Sequence, residues 1–204
     1  MPKSNHLEHL QKLFRESIAV KQRVLESQLP VIVEMAETIG NAVQQGGKIL
    51  LCGNGGSAAD AQHLAAELLV RLRPHVNRDG IPALALATDT SSLTACGNDY
   101  SFDGYYERLV RALGKKGDVL IGITTSGNSA NIVRALRAAR EMGMTTLGLL
   151  GSGGGLALSE CQIAFVVPSD ATGRIQETHI TAGHALMELI EETLLENGYL
   201  SSGS

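Results

Sequence analysis

Two segments of this chain carry side chains that are suited to acid–base or metal chemistry. His63 and Glu67 lie four residues apart, so on a helix they share one face. Gln176, His179 and His184 lie among apolar neighbours near the end of the sequence. Imidazole titrates near neutral pH, and burial in a cleft moves the pKa of a carboxylic acid towards the same range. Groups of these types can exchange protons with a substrate or bind a metal ion.

A purely structural role for the same residues is also open at this point. A histidine and a glutamate four residues apart can form a hydrogen bond on a helix surface, and a lone histidine on an apolar helix face is usually a core residue. Position favours chemistry for the first pair, because the predicted helix that carries His63 begins directly after a glycine-rich turn.

This glycine-rich turn, residues 53–60, has the sequence GNGGSAAD and follows a short apolar run. It matches the dinucleotide-binding pattern G-x-G-x-x-G/A only loosely. In that pattern an acidic residue about 20 positions later ends a second strand, whereas Asp79 lies in a polar turn. A P-loop is excluded as well, because no Gly-Lys-Ser/Thr follows.

A second turn, residues 124–131 with the sequence TTSGNSAN, combines four hydroxyl side chains with a glycine at the predicted start of a helix. Backbone N–H groups, the positive end of the helix dipole and hydroxyl donors can together surround an anion. Ordinary helix capping by Ser129 would explain one hydroxyl but not the whole group. The turn therefore predicts a phosphate-binding site.

Short apolar runs alternate with helical patterns over most of the chain, and strands covered on both faces have this continuously apolar character. The runs predict strands at residues 48–52, 83–87, 119–123, 145–150 and 163–167, with helices at 57–72, 105–113, 129–142 and 174–195. We therefore predict an α/β fold with a parallel five-stranded sheet flanked by helices. Both turns then lie at the carboxyl ends of strands, where one cleft can use both. Residues 151–155, which are rich in glycine, are expected to form only a flexible rim at the same edge.

The first 46 residues predict two helices that precede the α/β domain. Apolar residues recur at helical spacing in the first of them, from residue 5 to about residue 28: Leu7, Leu10, Phe14, Ile18 and Leu25. Pro30 interrupts the pattern, and a second helix follows as far as Gly46. This N-terminal helical arm can pack on its own domain or on a neighbouring subunit. We predict residues 1–46 as the arm, 47–197 as the α/β domain and 198–204 as a disordered tail.

Composition excludes several classes of protein. The 204 residues are 44% hydrophobic and 19% charged, which supports a packed domain, and the net charge of −4 argues against a nucleic-acid partner. Three scattered cysteines give neither a disulfide framework nor a metal-binding pair. The polar N-terminus and the lack of a long apolar stretch argue against secretion and membrane insertion, so we expect a cytoplasmic protein. With only 3% aromatic residues, the chain offers little that could stack on a base or a nicotinamide.

Three motifs together resemble the sugar-isomerase (SIS) domain family and, within it, the phosphoheptose isomerases. They are CGNGGS at residues 52–57, TSGNS at 125–129 and RIQExH at 174–179. The resemblance extends from the N-terminal helix to about residue 195. It implies a flavodoxin-like three-layer sandwich.

The resemblance also implies an activity: isomerisation of sedoheptulose 7-phosphate to D-glycero-D-manno-heptose 7-phosphate through an enediol, in the synthesis of ADP-heptose for the lipopolysaccharide core. Other SIS proteins are non-catalytic adaptors that bind the replication initiator DnaA, or are isomerases or sensors of other phosphosugars. The adaptors typically lack the catalytic glutamate and the histidine of the last helix. This chain keeps both, as Glu67 and His184, which favours the enzyme.

Site residues follow from the same resemblance. Glu67 and His184 would be the acid–base pair, and a Zn²⁺ ion would be bound by His63, Glu67, Gln176 and His184. Substrate contacts are expected from Asn54, Gly55, Gly56, Ser57, Arg71, Asp99, Thr124, Thr125, Ser126, Asn128, Ser129 and Gln176. The resemblance implies a homotetramer.

Two constraints apply to this proposed site. A carboxylate held by zinc is a poorer base, so either Glu67 leaves the metal during turnover or the metal is mainly structural. Gln176 and His184 are eight residues apart, which on a straight helix means about 12 Å of rise and roughly 80° of rotation. Either Gln176 precedes the regular helix, or the two ligands come from different subunits. We predict a site built at a subunit interface.

Overall fold

The computed structural model describes residues 4–201 as seven α-helices, five strands and two short 3₁₀ segments. The helices are α1 (Ser4–Ser27), α2 (Leu29–Gln44), α3 (Gly56–Leu69), α4 (Thr90–Asp99), α5 (Tyr105–Leu113), α6 (Ala130–Glu141) and α7 (Thr172–Glu196). The strands are β1 (Ile49–Gly53), β2 (Ala83–Ala85), β3 (Val119–Thr124), β4 (Thr145–Leu150) and β5 (Ile163–Val166). The 3₁₀ segments are Phe102–Gly104 and Ser152–Glu160.

All five strands form one parallel sheet in the order β2-β1-β3-β4-β5, which confirms the predicted fold class. Leu51 of β1 pairs with Ala85 of β2 on one side and with Ile121 of β3 on the other. Strand β2 is therefore added on one side of β1 and β3 on the other. This reversal of strand order opens a crevice between the carboxyl ends of β1 and β3. In open α/β sheets, ligands bind at such a switch point.

Helices cover both faces of the sheet, which gives the predicted three layers. On one face, Leu51 and Ile121 pack with apolar residues of α2, α3 and α7. On the other face, Leu50 and Leu120 pack with residues of α5 and α6. Every residue of β1 and β3 is buried, which explains why these strands are almost continuously apolar in sequence.

The N-terminal helix contributes buried apolar residues to the core only from its last third. Val20 and Val24 belong to the core, whereas Phe14 and Ile18 are 66% and 65% exposed. The break predicted at Pro30 lies at Gln28, because proline is accepted in the first turn of α2.

Two element boundaries and one additional helix differ from the prediction. Helix α3 ends at Leu69, so Arg71 lies in the following loop. Helix α7 begins at Thr172, so Gln176 lies inside it. Helix α4 was not predicted, since TSSLTACGND contains few strong helix formers; the Asp89 side chain caps it by accepting a hydrogen bond from the Ser91 N–H at 3.0 Å.

The end of the chain also differs from the prediction. Leu200 is buried in the core, and its N–H donates to the Leu194 carbonyl. Ordered structure therefore continues past residue 198, where disorder was expected. The rest of the predicted tail, residues 202–204, lies outside the described residues. Within residues 4–201, no helix combines the length and the apolar character needed to cross a membrane.

Candidate active site

The glycine-rich turn after β1 has a backbone that requires glycine at two positions. Gly55 has a φ of +55°, in the left-handed region that side chains disfavour. A Cβ on Gly53 would collide with the backbone of Ser57, because α3 begins in direct contact with the end of the strand. The Gly53 carbonyl accepts a hydrogen bond from the buried Tyr106 hydroxyl. The turn is therefore held rigidly at the edge of the sheet.

The hydroxyl-rich turn after β3 gathers its side chains at the N-terminus of α6, as predicted. Thr124 Oγ1 lies 3.1 Å from Ser129 Oγ and 3.5 Å from Ser126 Oγ. Ser129 precedes the helix but makes no capping hydrogen bond through its side chain. Simple helix capping therefore does not account for this hydroxyl, and the group can turn its donors to an anion at the positive end of the helix dipole.

Two asparagines join these turns directly. The Asn54 amide donates to Asn131 Oδ1 at 2.8 Å, and the Asn131 amide donates back to Asn54 Oδ1 at 2.9 Å. Asn131 is only 2% exposed. It was not predicted as a site residue, although its place in the turn sequence was the available signal. The pair fixes the two turns against each other at the β1–β3 crevice.

The glycine-rich 3₁₀ segment Ser152–Glu160 braces the hydroxyl-rich turn and is more than the flexible rim expected. Asn128 Oδ1 accepts a hydrogen bond from the Leu156 N–H at 3.0 Å, and the Gly127 carbonyl accepts one from the Ala157 N–H at 2.8 Å. Gly127 has a φ of +66°, and a Cβ there would collide with the backbone of Gly154. Glycine is therefore needed at position 127 for this close backbone approach.

His63, Glu67 and His184 meet at the contact between α3 and α7. The two histidine Nε2 atoms are 2.8 Å apart, and His63 Nε2 is 3.4 Å from Glu67 Oε1. One donor atom from each residue lies within 4.8 Å of the other two. His63 and His184 are 121 residues apart in sequence, so the fold alone brings them together.

Close packing of the two helices makes this contact possible. A Cβ on Gly183 would lie 2.8 Å from both methyl carbons of Leu64, and a Cβ on Gly56 would lie 2.7 Å from Gln176 Nε2. The paired positions advance in the same direction along both helices, so α3 and α7 run side by side and parallel. Gly183 is adjacent to His184, and Leu64 is adjacent to His63, so one close approach of the helices coincides with the cluster.

A second carboxyl group, Asp60, faces the cluster and was missed by the sequence analysis. Burial raises the pKa of Asp60, while positive charge on His63 or His184 would act in the opposite direction. Its Oδ2 atom is buried and has no hydrogen-bond partner among the described residues. The available signal was its position three residues before His63, which places both on one helix face.

The donor set fits a zinc ion. Two imidazole nitrogens and a carboxylate oxygen are typical zinc ligands, at Zn–N distances of about 2.0 Å. Tetrahedral coordination at that distance separates neighbouring ligand atoms by about 3.3 Å, so the 2.8 Å between the two Nε2 atoms would need to widen only slightly.

Gln176 lies apart from the other three predicted ligands. It belongs to the continuous helix α7, two turns before His184, and its amide lies beside Gly56 at the start of α3. The idea that Gln176 precedes the regular helix is therefore wrong. That a neighbouring subunit provides one of the ligands stays a prediction.

Two predicted substrate residues, Arg71 and Asp99, lie on the surface outside the two turns. Arg71 is exposed in the loop after α3, and Asp99 is an exposed residue at the end of α4 whose carboxylate accepts a hydrogen bond from Asn98 at 2.8 Å.

His63 is seven residues after Gly56, which places the histidine cluster about 10 Å along α3 from the turns. A single chain therefore does not bring the turns and the cluster into direct contact.

His179, the remaining histidine of α7, has a structural role. It is fully buried and its Nε2 lies 3.0 Å from the Leu150 carbonyl oxygen. Burial lowers the pKa of His179 to about 4, so its ring is neutral at physiological pH. It ties α7 to β4 and takes no part in the cluster.

Comparison with known proteins agrees with this geometry. The SIS domain family model matches residues 12–151. Phosphoheptose isomerases of Roseiflexus sp. (strain RS-1) and Aquifex aeolicus are each 52% identical to this chain; the first match covers 88% of this chain and 90% of the relative, and the second covers 93% and 98%.

Solved structures give the same result. Phosphoheptose isomerase GmhA from Neisseria gonorrhoeae superimposes with a TM-score of 0.86 at 44% identity, over 91% of this chain and 98% of that one. The enzyme from Francisella tularensis superimposes with a TM-score of 0.88 at 35% identity, over 92% and 98%. With its two strand-end turns and its cluster between α3 and α7, the chain belongs to the phosphoheptose isomerase family of SIS-domain proteins.

Proposed function

We propose that this chain interconverts sedoheptulose 7-phosphate and D-glycero-D-manno-heptose 7-phosphate, the reaction that leads towards ADP-heptose and the lipopolysaccharide core. The observation that carries the proposal is the convergence of Glu67 and His184 with His63 in one cluster. The named relatives support the reaction type, since they are phosphoheptose isomerases. The adaptor alternative is not favoured, because both residues that adaptors typically lack are present and lie together.

The reaction needs one proton moved between carbons and one moved between oxygens. Glu67 removes a proton from C1 of the ketose, the O2 oxygen takes up a proton, and an enediol forms. The O1 hydroxyl then loses its proton and C2 receives one, which yields the aldose. We assign the carbon proton to Glu67 and the oxygen protons to His184, because a carboxylate and an imidazole so close together can work as base and acid near neutral pH.

The phosphate group of the substrate is assigned to the hydroxyl-rich turn. Thr124, Ser126 and Ser129 offer hydroxyl donors, and α6 adds the positive end of its dipole. The turn itself contains no basic side chain, so binding relies on oriented dipoles and hydrogen bonds rather than on net charge. Asn54 and Asn131 keep the turn in place beside the glycine-rich turn.

Zinc is proposed as the cofactor of the cluster, held by His63, Glu67 and His184. When bound, a zinc ion supplies a Lewis acid that polarises the substrate carbonyl. Because metal coordination weakens Glu67 as a base, either Glu67 exchanges between the metal and the substrate or the metal is structural.

We further propose a homotetramer with active sites between subunits, in the cytoplasm. Support comes from the first two thirds of α1, where Leu10, Phe14 and Ile18 line a groove of about 470 Å³ together with Arg174 and Glu177 of α7. Burying Phe14 and Ile18 against a second copy of this chain would remove large apolar side chains from water. A partner subunit can also supply the contacts that join the turns and the histidine cluster into one site.

Size-exclusion chromatography with light scattering tests the assembly. Phe14→Glu places a charge in the apolar groove and is expected to dissociate the tetramer. Lys12→Glu is the control, because the Lys12 side chain is 72% exposed beside this surface. A monomeric wild type, or a Phe14→Glu variant that stays tetrameric, would contradict the proposed interface.

The function is tested by a coupled assay with sedoheptulose 7-phosphate. Wild type is expected to be active, and Glu67→Gln and His184→Gln are expected to lose turnover. Glu34→Gln and His75→Gln, which change exposed residues outside the site, are the matched controls. A wild type that is inactive both with and without added zinc would refute the proposal.

A further inference from the structure

A buried ion-pair cluster lies where α3 ends against α7. Glu191 of α7 accepts hydrogen bonds from two guanidinium groups, those of Arg73 and Arg78. The side chains of Arg78 and Glu191 are each 1% exposed, whereas that of Arg73 is 18% exposed. A buried charge pair of this kind is stable only when its hydrogen-bonding groups are satisfied.

Arg78 also provides hydrogen-bond donors to the last backbone carbonyl groups of α3. It donates from its two terminal nitrogens to the Leu68 carbonyl and to the Glu67 carbonyl, each at 2.9 Å. The last carbonyls of a helix have no partner within the helix and carry the negative end of its dipole, so a guanidinium is well suited to them. Arg78 is thus bonded to the backbone of the residue that we assign as the base.

The same guanidinium reaches the helix that carries His184. Glu191 lies seven residues after His184, which is about two turns along the same face of α7. One planar group therefore connects the Glu67 end of α3 with α7. A lysine could keep the charge, but its single ammonium cannot hold the carboxylate and both carbonyls in this planar arrangement.

We propose that Arg78 is a positioning residue that fixes α3 against α7 and thereby sets the spacing of Glu67, His63 and His184. This rests on the proposed function insofar as Glu67 and His184 are the reacting groups. Arg73 provides the contrast, because it donates to Glu191 and Glu192, both on α7, and so its bonds do not hold the end of α3.

Arg78→Lys and Arg73→Lys form a matched pair for kinetics. A displacement of about 1 Å in catalytic geometry can cost on the order of 100-fold in rate. We expect kcat to fall by about that much in Arg78→Lys and to change less than about threefold in Arg73→Lys. KM should change little in both, because the phosphate-binding turn lies at the opposite end of α3. Should Arg78→Lys not fold, Glu191→Gln weakens the same connection and is expected to lower kcat below that of Arg73→Lys.

Crystal structures of the variants give a readout that needs neither substrate nor activity. The His63–His184 Nε2 distance, 2.8 Å here, should widen in Arg78→Lys and stay unchanged in Arg73→Lys. If wild type lacks isomerase activity, the proposed function fails and this distance alone decides the role of Arg78. An Arg78→Lys variant with the same distance as Arg73→Lys would overturn the inference, as would an equal kcat in an active enzyme.

Discussion

Gly183→Ala should separate the two helices that form the active-site cluster. The added methyl would lie 2.8 Å from both terminal carbons of Leu64, whereas carbon atoms pack at about 3.5–4.0 Å. A shift of about 1 Å is therefore needed. Leu64 is 1% exposed, so its side chain has little free space to move into and part of the shift must be taken up by α3 and α7.

The expected magnitudes follow from two opposing terms. Overpacking a core costs about 1–3 kcal/mol, while replacing glycine by alanine inside a helix gains up to about 1 kcal/mol. We therefore expect a net loss in the free energy of unfolding of about 1 kcal/mol. The effect on kcat should be larger, a decrease of about 10- to 100-fold, because the Gly183–Leu64 contact lies beside His63 and His184.

Gly173→Ala is the control for this experiment. It makes the same substitution in the same helix, but at a position where an added Cβ meets nothing within 4 Å. It should therefore raise the free energy of unfolding slightly and leave kcat unchanged. Stability is measured by urea unfolding and kcat by the coupled isomerase assay. A Gly183→Ala variant with wild-type kcat would show that helix spacing at this position does not govern the cluster.

Three further outcomes are expected. The unfolded chain binds a proton at His179 near pH 6.5, whereas the folded chain does so only near pH 4, so the free energy of unfolding should fall by about 3 kcal/mol as the pH drops through this range. Urea unfolding of His179→Gln should lack this pH dependence. The same pH slope in wild type and His179→Gln would contradict this role of His179. Elemental analysis should find one zinc per chain in wild type and none in His63→Ala, whereas equal zinc in both would exclude the cluster as the metal site. Asn131→Ala removes the partner of the Asn54 amide, and we expect KM to rise about tenfold with little change in kcat. Initial-rate kinetics measure both constants. An unchanged KM would mean that the asparagine pair does not organise the phosphate-binding turn.

The sheet and the two turns were predictable because their signals are local. Continuous apolar runs such as 119–123 indicate buried strands, and glycine and hydroxyl residues directly after them indicate ligand-binding turns. Helix α4 was missed because most of its residues are weak helix formers. Its capping residue, Asp89, is a local feature of the sequence, but a single aspartate does not by itself identify a helix. The end of α3 at Leu69 was also missed, since no proline or glycine follows it immediately.

The arrangement of the cluster could not be read from the sequence in the same way. His63 and Glu67 are recognisable as a helix-face pair, but their contact with His184 depends on how closely α3 and α7 pack at Gly183. The Arg78–Glu191 pair spans 113 residues and has no local pattern. Asp60 becomes notable only because its buried oxygen lies beside the cluster without a partner among the described residues.

Solvent deuterium exchange is the most direct test of the proposed mechanism, in which Glu67 transfers the proton between carbons. Sedoheptulose 7-phosphate is incubated with enzyme in D₂O, and NMR follows formation of the aldose together with deuterium at its C2, the carbon that receives the proton, and at C1 of the recovered ketose. Wild type should incorporate deuterium and form the aldose, and Glu67→Gln should do neither. Deuterium incorporation by Glu67→Gln at the wild-type rate would contradict this assignment.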